Sequence, residues 1–307
     1  MKMCIAEKPS VAQSLAKNLS ACQRKDGYLE GNSCIVSWCL GHLAEYASPE
    51  NYDEKYAKWQ FDDLPIIPEV WKVQVPEDKR KQFEVLCTLM GREDVSYVVN
   101  GCDAGREGEL IFKRVYDLAK CRKPVKRLWI SSMEDEAIQQ GFQCLKDGDI
   151  YEGLCNAAVC RAQADWLIGM NATRAYTTRY FKRLVVGRVQ TPTLAMLIER
   201  KEKIDQFQKE AYYKVFLTDG KLTVTSQNIK SETEAEQLRD DCDGEEAVIT
   251  KVKKELKKNS PPKLYDLTSL QREANRFFGY TAQKTLDMLQ ELYEEKLVTY
   301  PLSLIHI

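Results

Sequence analysis

Two groups of acidic residues stand where strand-like segments of the sequence give way to helix-like ones. The apolar run KMCIA precedes Glu7 and Lys8, and the run VSYVVNGC precedes Asp103, Glu107 and Glu109. If both runs are parallel strands, their carboxyl ends lie at one sheet edge, which is where α/β proteins bind ligands. Glu7, Asp103 and Glu107 would together suit Mg²⁺, which accepts a few carboxylates and keeps several waters. Lys8 would add a positive charge for a phosphoryl group.

The same acids also have a purely structural explanation. Carboxylates are common in the first turn of a helix because they complement the helix dipole. Glycines at 101, 105 and 108 would let the backbone approach a ligand closely, which favours a binding site. The spacing of the acids leaves both interpretations open.

The elements that must position these residues follow from the hydrophobic pattern. Over residues 1–150, strand-like runs (KMCIA, SCIVSWCL, VSYVVNGC and KRLWISS) alternate with helix-like segments (KPSVAQSLAKNL, 77–92 and GELIFKRVYDLAK). Such alternation predicts an α/β domain with a largely parallel sheet.

The rest of the chain changes character twice. Residues 149–206 have helical spacing. Residues 211–253 are strand-like apart from a charged helix near 231–241, and the run AVITKVKKEL is also strand-like. The polar run KKELKKNSPPK is predicted to be a linker. Two amphipathic helices follow (TSLQREANRFFG and TAQKTLDMLQELYEEK), the first with an apolar face of Leu267, Leu270, Ala274 and Phe277. The run LVTYP is predicted to be a strand that leads into a functional loop.

Composition describes a chain of 307 residues with 44% hydrophobic and 30% charged residues. No window reaches the roughly 18 apolar residues that a membrane span needs, and the N-terminus lacks a signal-peptide pattern. A cytoplasmic location without membrane contact is therefore expected. The 11 cysteines show no C-x-x-C spacing, which indicates a reducing compartment and gives no reason to expect zinc.

Charge is unevenly distributed although the net charge is only −1. Residues 174–203 hold eight basic residues against two acids, whereas residues 230–246 hold eight acids against two basic residues. This asymmetry permits a basic groove on a nearly neutral protein, and it equally fits two solvated helix faces.

The motifs AEKPS and DAGREGE, about a hundred residues apart, resemble the Toprim domain of topoisomerases and primases. The likeness extends to GHL, WQFDDLPIIP, RLWISS, RAQADWLIGMNATRA, GRVQTPTL and the run from Leu267 to Pro301. In this order, over nearly the whole chain, they resemble the type IA DNA topoisomerases, and most closely the bacterial topoisomerase III branch. The resemblance implies an ATP-independent isomerase that acts on DNA with single-stranded regions.

The resemblance also implies roles for individual residues. Tyr300, in the LVTYP context, matches the nucleophile that joins covalently to a 5′ phosphate while another strand passes through the gap. Glu7 matches a glutamate that handles a proton on the 3′ hydroxyl, and Lys8 a lysine that stabilises phosphate charge. Asp103 and Glu107 match acids of the Mg²⁺ site. The family's D-x-D-x-E pattern has Gly105 here in place of its middle acid, which puts the number of Mg²⁺ ions in question.

Further positions match motifs that contact DNA in relatives. They are Trp59, Arg161, Asp165, Trp166, Arg174, Gly187, Arg188, Val189, Gln190 and Thr191. Arg161 and Asp165 could also pair across one helical turn. The two tryptophans suit stacking on bases, and core packing is the alternative for both. Glu109 is expected to be a surface glutamate, with compensation for the missing acid as the alternative.

The resemblance predicts a division of the chain. Residues 1–150 would form a Toprim domain, 151–208 part of a helical DNA-groove domain, 209–262 part of a β-containing arch, and 263–301 the start of a helical tyrosine domain. Leu302 stands where relatives have an arginine, and residues 302–307 are expected to be a non-native tail on a truncated, inactive fragment. A monomer is expected, with a helicase as a candidate partner.

Two other functions remain open from the residues. A primase or nuclease would share the Toprim motifs but would not need GRVQTP or a tyrosine nucleophile. A non-catalytic single-strand binding module would gain nothing from Glu7 beside Asp103, because the two carboxylates repel phosphate unless a cation is present.

Overall fold

The computed structural model describes residues 1–246 and 248–301. Its strands are β1 (Lys2–Ala6), β2 (Gln23–Lys25), β3 (Tyr28–Glu30), β4 (Cys34–Trp38), β5 (Glu45–Tyr46), β6 (Val73–Gln74), β7 (Tyr97–Gly101), β8 (Val125–Arg127), β9 (Lys146–Asp147), β10 (Phe216–Thr218) and β11 (Thr223–Thr225). Its α-helices are α1 (Pro9–Asn18), α2 (Arg80–Gly91), α3 (Arg106–Leu118), α4 (Asp135–Gln143), α5 (Glu152–Tyr180), α6 (Gln190–Asp205), α7 (Glu232–Cys242), α8 (Leu267–Phe278) and α9 (Ala282–Glu294).

A seven-stranded sheet in the order β2-β3-β4-β1-β7-β8-β9 organises the first part of the chain. Its four central strands, β4, β1, β7 and β8, run parallel, and β2, β3 and β9 add antiparallel edges. The predicted α/β domain with a largely parallel sheet is confirmed. In the register, Ala6 lies opposite both Trp38 and Gly101. The residues that follow β1 and β7 therefore leave the sheet at the same edge.

Alternation along the strands builds a core on each face of the sheet. Met3 and Ile5 of β1 pack in one cluster with residues of α2 and α3, whereas Cys4 and Ala6 pack in the other with residues of α1 and α4. All four side chains are fully buried. Tyr293 of α9 packs in the second cluster, so the helix that precedes Tyr300 is anchored on this sheet.

The described part of the chain forms two compact units: residues 1–188 with 262–301, and residues 189–246 with 248–261. The second unit consists of α6, the antiparallel pair β10–β11, and α7. Helix α7 begins where the Ser231 hydroxyl accepts a hydrogen bond from the Glu234 amide, a typical N-cap. The predicted helix near 231–241 is thereby confirmed.

Three strand predictions differ from the structure. KRLWISS contributes only Lys126 and Arg127 to β8, and the part of AVITKVKKEL that is described, residues 248–256, has no strand. Val248, Ile249 and Val252 are each about three-quarters exposed, so their β propensity has no neighbouring strand to pair with. LVTYP is not a strand either: residues 297–301 form bends, a turn and irregular backbone, with the Tyr300 amide bonded to the Ser131 carbonyl.

The predicted linker and the two helices after it are confirmed. Residues 253–263 have no regular secondary structure. Helix α8 begins with a capping box between Asp266 and Ser269, and Gly279, with a φ of +67°, ends it in the left-handed region that favours glycine. Phe277 of the predicted apolar face is 63% exposed, so that face is not fully covered. Over residues 1–246 and 248–301, no helix is both long and apolar enough to span a membrane.

Candidate active site

Glu7 and Lys8 occupy the turn between β1 and α1. The Glu7 carbonyl accepts a hydrogen bond from the Gly41 amide at 3.2 Å, which holds the turn against the end of β4. Lys8 is the extended N-cap of α1, and Pro9 follows at the first helical position, where its missing N–H costs nothing. Both side chains are half-buried. The local sequence therefore fixes where the helix starts and where these two side chains emerge.

Asp103 lies beside Glu7 on the turn after β7. Its backbone amide donates to Glu7 Oε2 at 3.4 Å. The N-terminal turn of α3 packs tightly on this turn, because a Cβ added at Gly108 would lie 2.1 Å from the Asp103 carbonyl oxygen. Only glycine fits at 108. The structure thus brings the first two predicted metal ligands together, as the register of the sheet predicts.

Tyr300 lies on the same two acids. Its phenol lies close enough to the Asp103 carboxylate for each group to shift the pKa of the other. Its backbone is held by the Ser131 carbonyl at 3.1 Å, and its ring meets the Tyr293 ring edge-on, with centroids 5.4 Å apart. A loop with these three anchors positions the phenol, so the site does not need the strand that was predicted for LVTYP.

The electrostatics of the site disfavour two negative charges. Burial, and next the charge of Asp103, raises the pKa of Glu7 from 4.5 to about 7. Burial also raises the pKa of Asp103, against the opposing effects of the Tyr300 hydrogen bond, Lys8 and Arg127. The pKa of Tyr300 lies well above its ordinary value, first because the phenol is buried and second because Asp103 is negative. Near neutral pH the phenol is therefore protonated, and Glu7 is partly so.

Glu107, the third predicted ligand, turns elsewhere. Its carboxylate pairs with Arg161 Nη1 at 3.1 Å and with His42 Nε2 at 3.4 Å. In the part of the chain that is described, no three His, Cys, Asp or Glu side chains are grouped so as to hold a metal ion. The arrangement thus unites Glu7 and Asp103 as potential ligands and leaves Glu107 in an ion pair.

Glu109 is not the surface glutamate that was expected. It is 7% exposed and forms an ion pair with Arg127, Nε to Oε1, at 2.6 Å. The local sequence around Glu109 does not indicate that its side chain is buried, because the packing of α3 against β7 and β8 decides its burial. Arg127 was not among the predicted site residues. The available signal was a charged residue directly before the apolar run LWI of the RLWISS motif.

Arg161 and Arg188 share Asp165. The predicted pair across one turn of α5 is present, with Arg161 Nε 3.9 Å from Asp165 Oδ2. Arg188 contacts the same carboxylate with Nε and Nη2, at 2.5 and 3.3 Å. Together with Glu107 these residues form an alternating row of charges, and all four side chains are between 38% and 47% exposed.

The two tryptophans have different surroundings. Trp166 donates from Nε1 to the Ala47 carbonyl at 3.1 Å and packs edge-on against Trp71. Trp166 therefore packs against other parts of the protein, which was the alternative to stacking on a base. Trp59 is 39% exposed, and the Arg174 guanidinium lies over its ring at 5.0 Å.

Arg174 itself is 4% exposed and donates to the Tyr56 carbonyl at 2.7 Å. Its Nε has no hydrogen-bond partner among the described atoms. Burial lowers the pKa of its guanidinium. Arg174 and Trp59 line a cleft of about 290 Å³ that also includes Gly169 and Thr173.

The remaining predicted DNA contacts lie around the start of α6. Gly187 and Arg188 belong to the loop after α5, and Val189 is the N-cap of α6 with 62% exposure. Gln190 and Thr191 form the exposed first turn of α6, in the second unit. Their contact with DNA stays a prediction. Leu302 and the rest of 302–307 lie outside the described residues.

Glu7 and Asp103 at the central edge of the sheet, with the Tyr300 phenol beside them, fit the Toprim-containing DNA topoisomerases as a class. Residues 2–133 match the Toprim domain, and residues 149–302 match the DNA topoisomerase family. The chain belongs to the type IA DNA topoisomerase family. The match over 149–302 decides against a primase or nuclease that shares only the Toprim motifs.

Within the family, the chain is similar to DNA topoisomerase 3 of Bacillus subtilis, with 47% identity over 305 residues. DNA topoisomerase 3 of Bacillus licheniformis is 48% identical over the same length. Each alignment covers 97% of this chain and 42% of the relative, so the chain spans less than half of their length. Full-length topoisomerase I from Thermotoga maritima has the same fold over 95% of this chain and 46% of that one, with a TM-score of 0.66 and 23% identity.

Proposed function

We propose that Tyr300 attacks a phosphodiester of single-stranded DNA, forms a 5′-phosphotyrosine, and is released when the strand is rejoined after another strand has passed. Relaxation of negative supercoils and decatenation would follow from repeated cycles. The observation that carries the proposal is the closeness of the Tyr300 phenol to Asp103 and Glu7, whose charges both act on the phenol, with Lys8 next to them. A helicase partner, a monomeric state and a cytoplasmic location belong to the same proposal.

Asp103 can accept and Glu7 can donate the two protons that move in this reaction. As the Tyr300 oxygen bonds to phosphorus, the phenol proton passes to the neighbouring Asp103 carboxylate. The bond from phosphorus to the 3′ oxygen breaks, and the leaving oxygen takes a proton from Glu7. A pKa of about 7 lets Glu7 supply a proton near neutral pH and take it back when the strand is rejoined.

Lys8 would stabilise the phosphate during this transfer. Its charge already acts on both Glu7 and Asp103, which indicates that it lies close to them. The N-termini of α1 and α3 adjoin the same turns, and helix N-termini favour negatively charged oxygens. Preorganised positive charge of this kind is commonly the largest contribution to catalysis.

The pair Glu7 and Asp103 also fits Mg²⁺. Two adjacent carboxylates, of which Asp103 raises the pKa of Glu7, are a suitable donor set for a divalent cation, and Mg²⁺ keeps waters at its other positions. Bound there, Mg²⁺ would supply positive charge to the phosphate. Glu107 would join as a ligand by leaving Arg161.

The DNA strand would lie along the side of α5. The cleft at Trp59 and Arg174 supports this, because a buried guanidinium with an unpartnered N–H is suited to a phosphate or a base edge, and an indole to stacking. Arg161, Asp165 and Arg188 offer exchangeable ion pairs on the same helix and its following loop. Gly187, Val189, Gln190 and Thr191 are proposed as further contacts, whereas Trp166 is proposed to support this surface by packing on Trp71 and Ala47.

Covalent trapping tests the proposal. The chain is extended with the C-terminal part of the Bacillus subtilis relative and mixed with a single-stranded oligonucleotide labelled at its 3′ end. A labelled adduct that survives denaturation is expected, because the tyrosine keeps the downstream piece. A 5′ label should appear only on free, shortened DNA.

Two tyrosine variants make the test specific. Tyr300→Phe should abolish the adduct, whereas Tyr293→Phe, which removes a neighbouring phenol oxygen and keeps the ring, should retain it. An adduct in Tyr300→Phe would refute the assignment. DNA affinity without any dependence on Mg²⁺, together with no adduct, would favour the simple binding module.

A further inference from the structure

The guanidinium of Arg127 holds the turn that carries Asp103. Arg127 is 1% exposed at the end of β8. Its Nη1 donates to the carbonyl oxygens of Asn100, Cys102 and Leu128 at 3.0, 2.6 and 2.7 Å, and its Nη2 donates to the Asp103 carbonyl at 2.7 Å. One side chain thus fixes the Asn100 carbonyl in β7, the Cys102 and Asp103 carbonyls in the turn after it, and the carbonyl of its own neighbour Leu128. A lysine has no planar fork that could make these bonds at once.

Glu109 completes the arrangement. Its Oε1 accepts from Arg127 Nε at 2.6 Å, and its Oε2 accepts from Asn100 Nδ2 at 3.0 Å. Asn100 Oδ1 in turn accepts from the Cys102 amide at 3.1 Å. Each oxygen of the buried carboxylate has a donor, so the network is closed around the turn.

The network lies beneath the proposed site but does not enter it. The charge of Arg127 acts on both Glu7 and Asp103 and lowers the pKa of each. The bonds of Arg127 run to backbone carbonyls and to Glu109, so its guanidinium is committed to protein atoms. Arg127 is therefore close enough to set the geometry of Asp103 and is not itself a ligand.

We propose that Arg127, neutralised by Glu109, is a positioning residue that sets where the Asp103 carboxylate stands for the metal ion and for Tyr300. The inference rests on the proposed function, since it assigns the pair a purpose in that reaction. A buried ion pair that only fills the core would predict a loss of stability without a loss of metal affinity.

Mn²⁺ affinity distinguishes a positioning role of the Arg127–Glu109 pair from a purely structural one. It is measured on the 307-residue chain from the electron paramagnetic resonance signal of the free ion. Arg127→Lys keeps the charge and loses the fork, and Glu109→Gln keeps the shape and loses the charge. Both should bind Mn²⁺ about tenfold or more weakly, the usual cost of losing a group that orients a ligand. Arg92→Lys is the matched control, because Arg92 also pairs with two carboxylates, Glu30 and Asp94, at the other end of the strands.

Circular dichroism establishes that each variant is folded at the measuring temperature. Wild-type affinity in folded Glu109→Gln would overturn the inference, even if Arg127→Lys does not fold. Absence of saturable Mn²⁺ binding in the wild type, or equal binding by Asp103→Asn, would instead refute the proposed metal site. In that case amide hydrogen exchange over residues 102–105 tests the positioning role. Faster exchange in Arg127→Lys and Glu109→Gln supports that role, and unchanged exchange overturns it.

Discussion

The phenol of Tyr300 and the carboxylate of Asp103 lie close enough for each to shift the pKa of the other. One partner follows α9 near the end of the described chain, and the other follows the central strand β7. The ionisation of the candidate nucleophile and that of the candidate metal ligand therefore depend on each other.

Asp103→Asn should lower the pKa of Tyr300 by about one pH unit or more, because the negative charge that opposes phenolate formation is removed. Burial, the larger cause, remains, so the pKa should stay above 10.0. The measurement is the tyrosinate absorbance of Asp103→Asn with and without Tyr300→Phe. Asp147→Asn, which alters a carboxylate outside the site, is the control. An unchanged Tyr300 titration would mean that the two side chains do not interact in solution.

Stability without metal should depend on pH through Glu7. The folded-state pKa of about 7 lies above the ordinary 4.5, so the folded protein favours the protonated form. The resulting stabilisation is complete below 4.5 and is lost as the pH rises through about 7. Unfolding in denaturant and chelator should show the wild type losing on the order of 2 kcal/mol over this range relative to Glu7→Gln. Parallel curves for the two proteins would contradict the shift.

Gly105→Asp should strengthen divalent-cation binding severalfold, by roughly threefold to tenfold, because it restores the acid of the family pattern and adds a carboxylate. Gly105 has an extended backbone, with a φ of −176°, and a Cβ there meets no atom within 4 Å. Gly153→Asp is the matched control, since Gly153 also has open space around it. Calorimetric titration with Mg²⁺ measures both. Equal affinities in the two variants would show that position 105 does not reach the ion.

The segment that carries Tyr300 is also tied down by Asp135. This carboxylate contacts Lys296 and Lys17 at 2.5 and 3.6 Å, and a hydrogen bond from Lys296 is the largest cause of its lowered pKa of about 2. Asp135→Asn should speed amide exchange over 295–301 by a few-fold at low salt and much less at high salt, as for other exposed ion pairs. Asp117→Asn, which breaks the exposed pair with Lys113, should leave that segment unchanged. A salt-independent effect would point to a different cause.

The α/β architecture and the closeness of Glu7 to Asp103 were predictable from the sequence. Burial of KMCIA and VSYVVNGC follows from their continuous apolar character, and two parallel strands must release their next residues at one edge. The helices α8 and α9 were equally predictable, since periodicity, a cap and Gly279 define them locally. Strand character in 248–256 and LVTYP was wrong, because strand formation depends on a partner that no local pattern specifies.

The sequence by itself determined which chemical groups are present and, through short-range pattern, that a carboxylate edge would form beside a helix N-terminus. Only the tertiary structure decided that Glu107 pairs with Arg161, that Glu109 is buried on Arg127, and that Tyr300 rests on Asp103. These contacts join side chains from segments that are far apart in the sequence. They depend on how the segments pack in three dimensions, and no periodic pattern along the chain encodes them.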